Sequence, residues 1–123
     1  MLKKLKQIEK LSFNIRKIIL DISYNCGEPS HIGGALSIVE ILSVIYSNFN
    51  IRINKPLDRF ILSKGHGFLA LLSALHCKGF VKKKDIMQFQ KNESEFIAHP
   101  IMNKSIGIET SNGSLGQGLS FGV

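Results

Sequence analysis

Seven of the eleven glycines fall in three short segments: Ser30-His31-Ile32-Gly33-Gly34, Ser63-Lys64-Gly65-His66-Gly67 and Gly113-Ser114-Leu115-Gly116-Gln117-Gly118. Two of the three also carry a histidine, and another, His99, precedes Pro100. Glycine lets the backbone approach a ligand closely. An imidazole beside it donates or accepts a proton near neutral pH. Taken singly, His31 and His99 read as solvated loop histidines, whereas His66, held between two glycines, is harder to set aside. His76 sits in a helical pattern beside Cys77 and reads as structural. The steps of 35 and 33 residues between His31, His66 and His99 match no local metal-ligand motif, so no metal ligand is assigned.

The third segment is neither a Walker loop, since it lacks the Gly-Lys-Ser/Thr ending, nor the dinucleotide fingerprint, since its order is Gly-x-x-Gly-x-Gly. Small residues ahead of a helix start leave backbone N–H groups free for a phosphate or a heterocycle edge.

These segments need elements to hold them. Leu5, Ile8, Leu11, Ile15, Ile18, Ile19 and Ile22 recur at three- and four-residue steps, which predicts an amphipathic helix over 3–25, stopped by Gly27 and Pro29. Residues 35–48 read as a second helix, apolar nearly all round and therefore buried. The short run Arg59–Ser63 reads as a buried strand, cut off by Lys64-Gly65-His66-Gly67. Helices are expected over 68–78 and 83–90, with irregular chain over 91–114. The glycine-rich turn at 113–118 then opens a last helix. Because the sequence ends as that element begins, it reads as an N-terminal fragment, or as a chain completed by a partner.

Composition narrows the class. With 123 residues, 44% hydrophobic and 20% charged, the chain has the makings of a packed core and not of a disordered segment. No apolar run reaches the roughly 18 residues of a membrane helix, so no membrane partner is expected. The net charge of +7 comes largely from lysines at the N-terminal end and from Lys78, Lys82, Lys83, Lys84 and Lys91. No aromatics interleave with them as a base-stacking surface requires, so nucleic acid is not expected either. The remaining readings are solvated lysine faces and a bias toward phosphorylated substrates. Cys26 and Cys77 fit unpaired thiols in a reducing compartment.

From about residue 11 onward the sequence resembles the N-terminal, thiamine-diphosphate-binding part of transketolase. The resemblance rests on Ser30-His31-Ile32-Gly33-Gly34, on Asp58-Arg59-Phe60-Ile61-Leu62-Ser63-Lys64-Gly65-His66-Gly67, on His99-Pro100, and on Gly107-Ile108-Glu109-Thr110 through Gly113-Ser114-Leu115-Gly116-Gln117-Gly118. It implies an α/β fold with a parallel sheet, mostly helical in this portion, with 1–123 as one incomplete thiamine-diphosphate-binding domain. The activity implied is transfer of a two-carbon ketol unit from a ketose phosphate to an aldose phosphate in the cytoplasm. His66 matches the histidine that binds the cofactor diphosphate. Gly113, Ser114 and Leu115 match the backbone that lines the cofactor, the leucine packing by its rings. His31 and His99 match catalytic histidines that contact substrate hydroxyls. Implied partners are sugar phosphates and either a C-terminal half-subunit or a second copy of the chain.

The resemblance also implies Mg2+, with ligands expected beyond Val123, because no carboxylate follows Glu109. Weak or absent cofactor binding by this chain alone is therefore expected. Ala98 stands where the family usually has glycine, and Ile32 where full-length members commonly have proline. A deoxyxylulose-phosphate synthase fits Asp58 through Gly67 less well. The rival from another class is a non-catalytic remnant that keeps the scaffold without a complete active site.

Overall fold

Where apolar residues recur at helical spacing, the chain folds around one strongly apolar helix. A computed structural model describes residues 1–123. α1 spans Leu2–Cys26 and buries Ile15, Ile19 and Ile22, one stripe at four- and three-residue steps. α2 spans Ile32–Leu36, α3 Val39–Asn48, α4 Phe68–Cys77, α5 Lys83–Ile86 and α6 Gly118–Phe121. Single 3-10 turns lie at Gly65–Gly67 and Lys104–Ile106.

α4 is the centre. Every residue from Phe68 through Leu75 is buried, and α1, α2, α3 and α5 all pack on it. Leu72 and Leu75 are fully enclosed, each contributing about 1.5–3 kcal/mol by leaving water. Two serines share this interior without an unmet donor: Ser43 and Ser73 give their hydroxyl protons to the Val39 and Leu69 carbonyls, at 2.8 and 2.7 Å. α1 also packs along α3. There the Arg16 guanidinium hydrogen-bonds Glu40 and holds its carboxyl below the usual carboxylate range. No helix is long and apolar enough to cross a membrane.

The helices expected over 3–25 and 68–78 form nearly as the periodicity predicts. The buried strand expected at Arg59–Ser63 does not form, and the only β pairing is an isolated antiparallel bridge between Asn103 and Ile108, so the parallel sheet that the resemblance implies is not seen in these residues. A strand needs a ladder partner. Here the segment's polar groups are met by side chains and single amides: Asn112 donates its carboxamide N–H to the Leu62 carbonyl, and Ser63 Oγ accepts from the Gly118 N–H at 3.1 Å.

The helix expected over 35–48 is broken in two. Ile38 leaves the helical region at φ −116°, ψ 6°, and Ser37 Oγ donates to the Gly34 carbonyl at 2.9 Å. α3 is not buried all round, since Ile41 and Val44 face outward. The helix expected over 83–90 stops at Ile86, four residues ahead of Gln90, whose φ is +57°. Residues 91–114 are mostly irregular, as expected, and both cysteines are free.

Candidate functional site

Each of the three loop histidines sits at the edge of an element that the core fixes. His31 directly precedes α2, and His66 lies in the 3-10 turn that leads into α4. His99 lies on the irregular stretch, anchored by the buried Pro100. The fold brings all three rings together. Centroids are 4.5 Å apart for His31–His66, 5.0 Å for His66–His99 and 5.5 Å for His31–His99, and the His66 and His99 planes are nearly perpendicular.

Close packing of backbone makes this convergence possible. A Cβ on Gly65 would lie 2.8 Å from His99 Cδ2, and one on Gly34 would lie 3.0 Å from the His66 carbonyl oxygen. The contact at Gly65 is shorter than side chains tolerate and the one at Gly34 would force the His66 backbone to give, so glycine at these positions lets the loops meet closely. Lys64 Nζ donates to Ser37 Oγ at 2.8 Å and ties the His66 turn to the junction of α2 and α3.

The rings are graded in exposure. His31 is exposed, and His66 and His99 are half-buried. His99 Nε2 is itself buried and has no hydrogen-bond partner. Burial of the ring, together with the neighbouring His66 and His31, pushes the His99 pKa below the ordinary imidazole value. At neutral pH the ring therefore carries one N–H and one lone pair, and Nε2 has no partner within the protein.

The glycine-rich turn docks beside this cluster through Asn112. Its backbone N–H donates to the Pro100 carbonyl at 3.1 Å, its carboxamide donates to the Leu62 carbonyl, and its own carbonyl lies 3.6 Å from the Cβ position of Gly65. Gly113 and Ser114 line a depression of about 380 Å³ with Ser111, Asn112, Gln117 and Phe121. Leu115 is exposed and outside that depression, and His66 is not among its walls. On its other side His99 borders an open groove of about 430 Å³ with Glu28, Gln90, Lys91 and Ala98. The cavity of about 340 Å³ between Phe80, Lys82, Glu93 and Phe96 contains none of the histidines.

Sequence reasoning did not single out Asn112 or Ser63 as braces. An asparagine just ahead of a glycine turn was the available signal, but its partners, Leu62 and Pro100, are distant in sequence. His76, read as structural, has Nδ1 at 2.9 Å from the Val81 carbonyl, to which its N–H donates. The spacing of His31, His66 and His99 argues against a local metal motif. Even so, their ligand atoms all lie within 4.8 Å of one another.

The sequence that builds this geometry has relatives. A family profile described as "Transketolase, thiamine diphosphate binding domain" matches residues 8–123. The 6-deoxy-6-sulfo-D-fructose transketolase subunit SqwG of Clostridium sp. (strain MSTE9) is 37% identical over 114 residues, covering 89% of this chain and 41% of its own length. An apulose-4-phosphate transketolase subunit from Phocaeicola vulgatus is 36% identical over 121 residues, 94% of this chain and 42% of its own. A transketolase of Buchnera aphidicola is 33% identical over 122 residues, 94% of this chain and 18% of its own. The chain thus spans less than half the length of the curated relatives it matches.

Proposed function

The chain belongs to the transketolase family of thiamine-diphosphate-binding domains, and on that footing we propose that it works as part of an enzyme moving a two-carbon ketol unit from a ketose phosphate to an aldose phosphate. The single observation that carries this reading is the meeting of His31, His66 and His99, from three separate loops, beside the turn that begins at Asn112. Relatives named as transketolase subunits support a partner in the form of a complementary chain. The +7 charge favours phosphorylated substrates. The free thiols of Cys26 and Cys77 fit the cytoplasm.

The residues fit the cofactor's chemistry: an unpartnered buried Nε2 on His99, half-buried imidazole on His66 and open backbone at Gly113, where a Cβ would meet nothing within 4 Å. When bound, thiamine diphosphate supplies the carbon centre that stabilises the transferred unit. His66 would hold its diphosphate, Gly113 and Ser114 would line its rings, and Leu115, exposed beside them, would pack against the rings from outside that depression. His31, exposed at the mouth, would orient a substrate hydroxyl. His99 would place Nε2 against a substrate oxygen and hold or accept a proton there. Magnesium has no fitting carboxylate among these residues: Glu109, the last one, is paired with Arg59 at 2.8 Å. No step is assigned to that ion.

The test is reconstitution with the complementary chain, measuring thiamine-diphosphate binding by calorimetry and ketol transfer by sugar-phosphate turnover. The expected result is transfer that requires both chains, with little or none from the 123 residues alone. A reconstituted enzyme that binds the cofactor but transfers nothing would favour the remnant reading, and vigorous turnover by the isolated chain would overturn the need for a partner.

A further inference from the structure

We propose that His31, His66 and His99 form a three-imidazole site for a borderline divalent cation of the Zn2+ class, which takes the same ring nitrogens as the cofactor and substrate contacts proposed above and so excludes them while it is bound. Their ligand nitrogens lie within 4.8 Å of one another, and the group contains no carboxylate. A donor set of nitrogen alone suits Zn2+, Cu2+ and Ni2+. Mg2+ and Ca2+ take oxygen ligands instead.

Three imidazoles and one open position make the usual arrangement of an accessible zinc site. Zn–N bonds of about 2.0–2.1 Å put tetrahedral nitrogens about 3.3 Å apart, so the rings must close by at most about 1.5 Å. His31 is exposed and has room to make that movement, whereas His66 and His99 are held by their packed loops. The buried Nε2 of His99 lacks any hydrogen-bond partner, so a cation reaching it displaces no protein contact. The exposed side of His31 provides the entry path and leaves the fourth position open to solvent.

The experiment uses tag-free protein and the metals alone. Zn2+ titration by calorimetry should show one ion per chain, unaffected by excess Mg2+. Co2+ should give the intense visible absorption of a tetrahedral site. In the unmodified protein, sub-stoichiometric Cu2+ should broaden the ring NMR signals of His31, His66 and His99 and spare His76, a readout that needs no variant. His31→Ala, at the exposed ring and least able to disturb folding, should weaken Zn2+ binding by more than about tenfold, since losing even a supporting partner of a ligand is felt on that scale. Absence of stoichiometric Zn2+ binding, equal broadening of His76, displacement by Mg2+, or unchanged affinity in His31→Ala would each overturn the proposal.

Discussion

Gly65 stands so close to His99 that a methyl on its Cα would sit 2.8 Å from the imidazole Cδ2. The nearest neighbour is thus an imidazole ring and not the free end of a flexible side chain. Gly65→Ala should push His99 out of the cluster and destabilise the fold by about 1–3 kcal/mol, the usual penalty of overpacking a tight contact. Urea unfolding gives the stability change, and the His99 ring signals report the displacement. An unchanged midpoint with unchanged His99 shifts would mean that the loop absorbs the methyl.

His66 is proposed to bind the cofactor diphosphate. A hydrogen bond to a charged group is worth about 1.5–3 kcal/mol, so His66→Ala in the reconstituted enzyme should raise the thiamine-diphosphate Kd by about 10- to 150-fold. The KM for sugar phosphates should move less. Calorimetry against cofactor and steady-state kinetics against substrate separate the two. Equal cofactor affinity in both proteins would remove His66 from that role.

For His31 and His99 the split runs the other way. Losing a donor that meets developing charge typically lowers kcat by about 100-fold or more. His31→Ala and His99→Ala should each show that loss while cofactor affinity stays within a few-fold of the parent. Full turnover in both variants would return these rings to ordinary loop histidines.

The pH dependence follows from the lowered pKa of His99, caused by burial and by the facing His66 and His31. The unfolded chain binds this proton at the ordinary imidazole pKa of about 6.5, while the folded chain resists it until lower pH. In the window below about 6.5 the unfolded state therefore holds more protons, and stability falls as pH falls. Well above that value His99 contributes no pH dependence. NMR titration in the presence of a chelator should place the His99 midpoint below about 6.5, and His99→Gln should flatten the acid side of the stability profile. A midpoint at or above the ordinary imidazole value would contradict the burial argument.

How much of this was legible beforehand depends on the range of the forces involved. α1 and α4 follow from local periodicity, because Ile15, Ile19 and Ile22 on one helix and Phe68 through Leu75 on the other leave water wherever the rest of the chain goes. The segment Arg59–Ser63 looks like a strand by composition. Its outcome turns on non-local partners: the Asn112 carboxamide takes the Leu62 carbonyl that a neighbouring strand would pair, and the Gly118 amide binds the Ser63 hydroxyl beside it. The break between α2 and α3 comes with a tightened turn, in which the Ile38 N–H bonds the Ala35 carbonyl and the Ser37 hydroxyl bonds the Gly34 carbonyl, and periodicity does not register it. The candidate histidines were readable because two of them each share a short segment with two glycines and a proline follows the third. Their mutual distances were not, since loops 33 to 35 residues apart meet only in the folded chain.

Asn112 reaches two carbonyls at once, that of Leu62 leading into the His66 turn and that of Pro100 following His99. These two loops therefore share a single fastening and cannot drift independently. A change at this uncharged amide would therefore be read out as a spread of ring positions, long before any helix came loose.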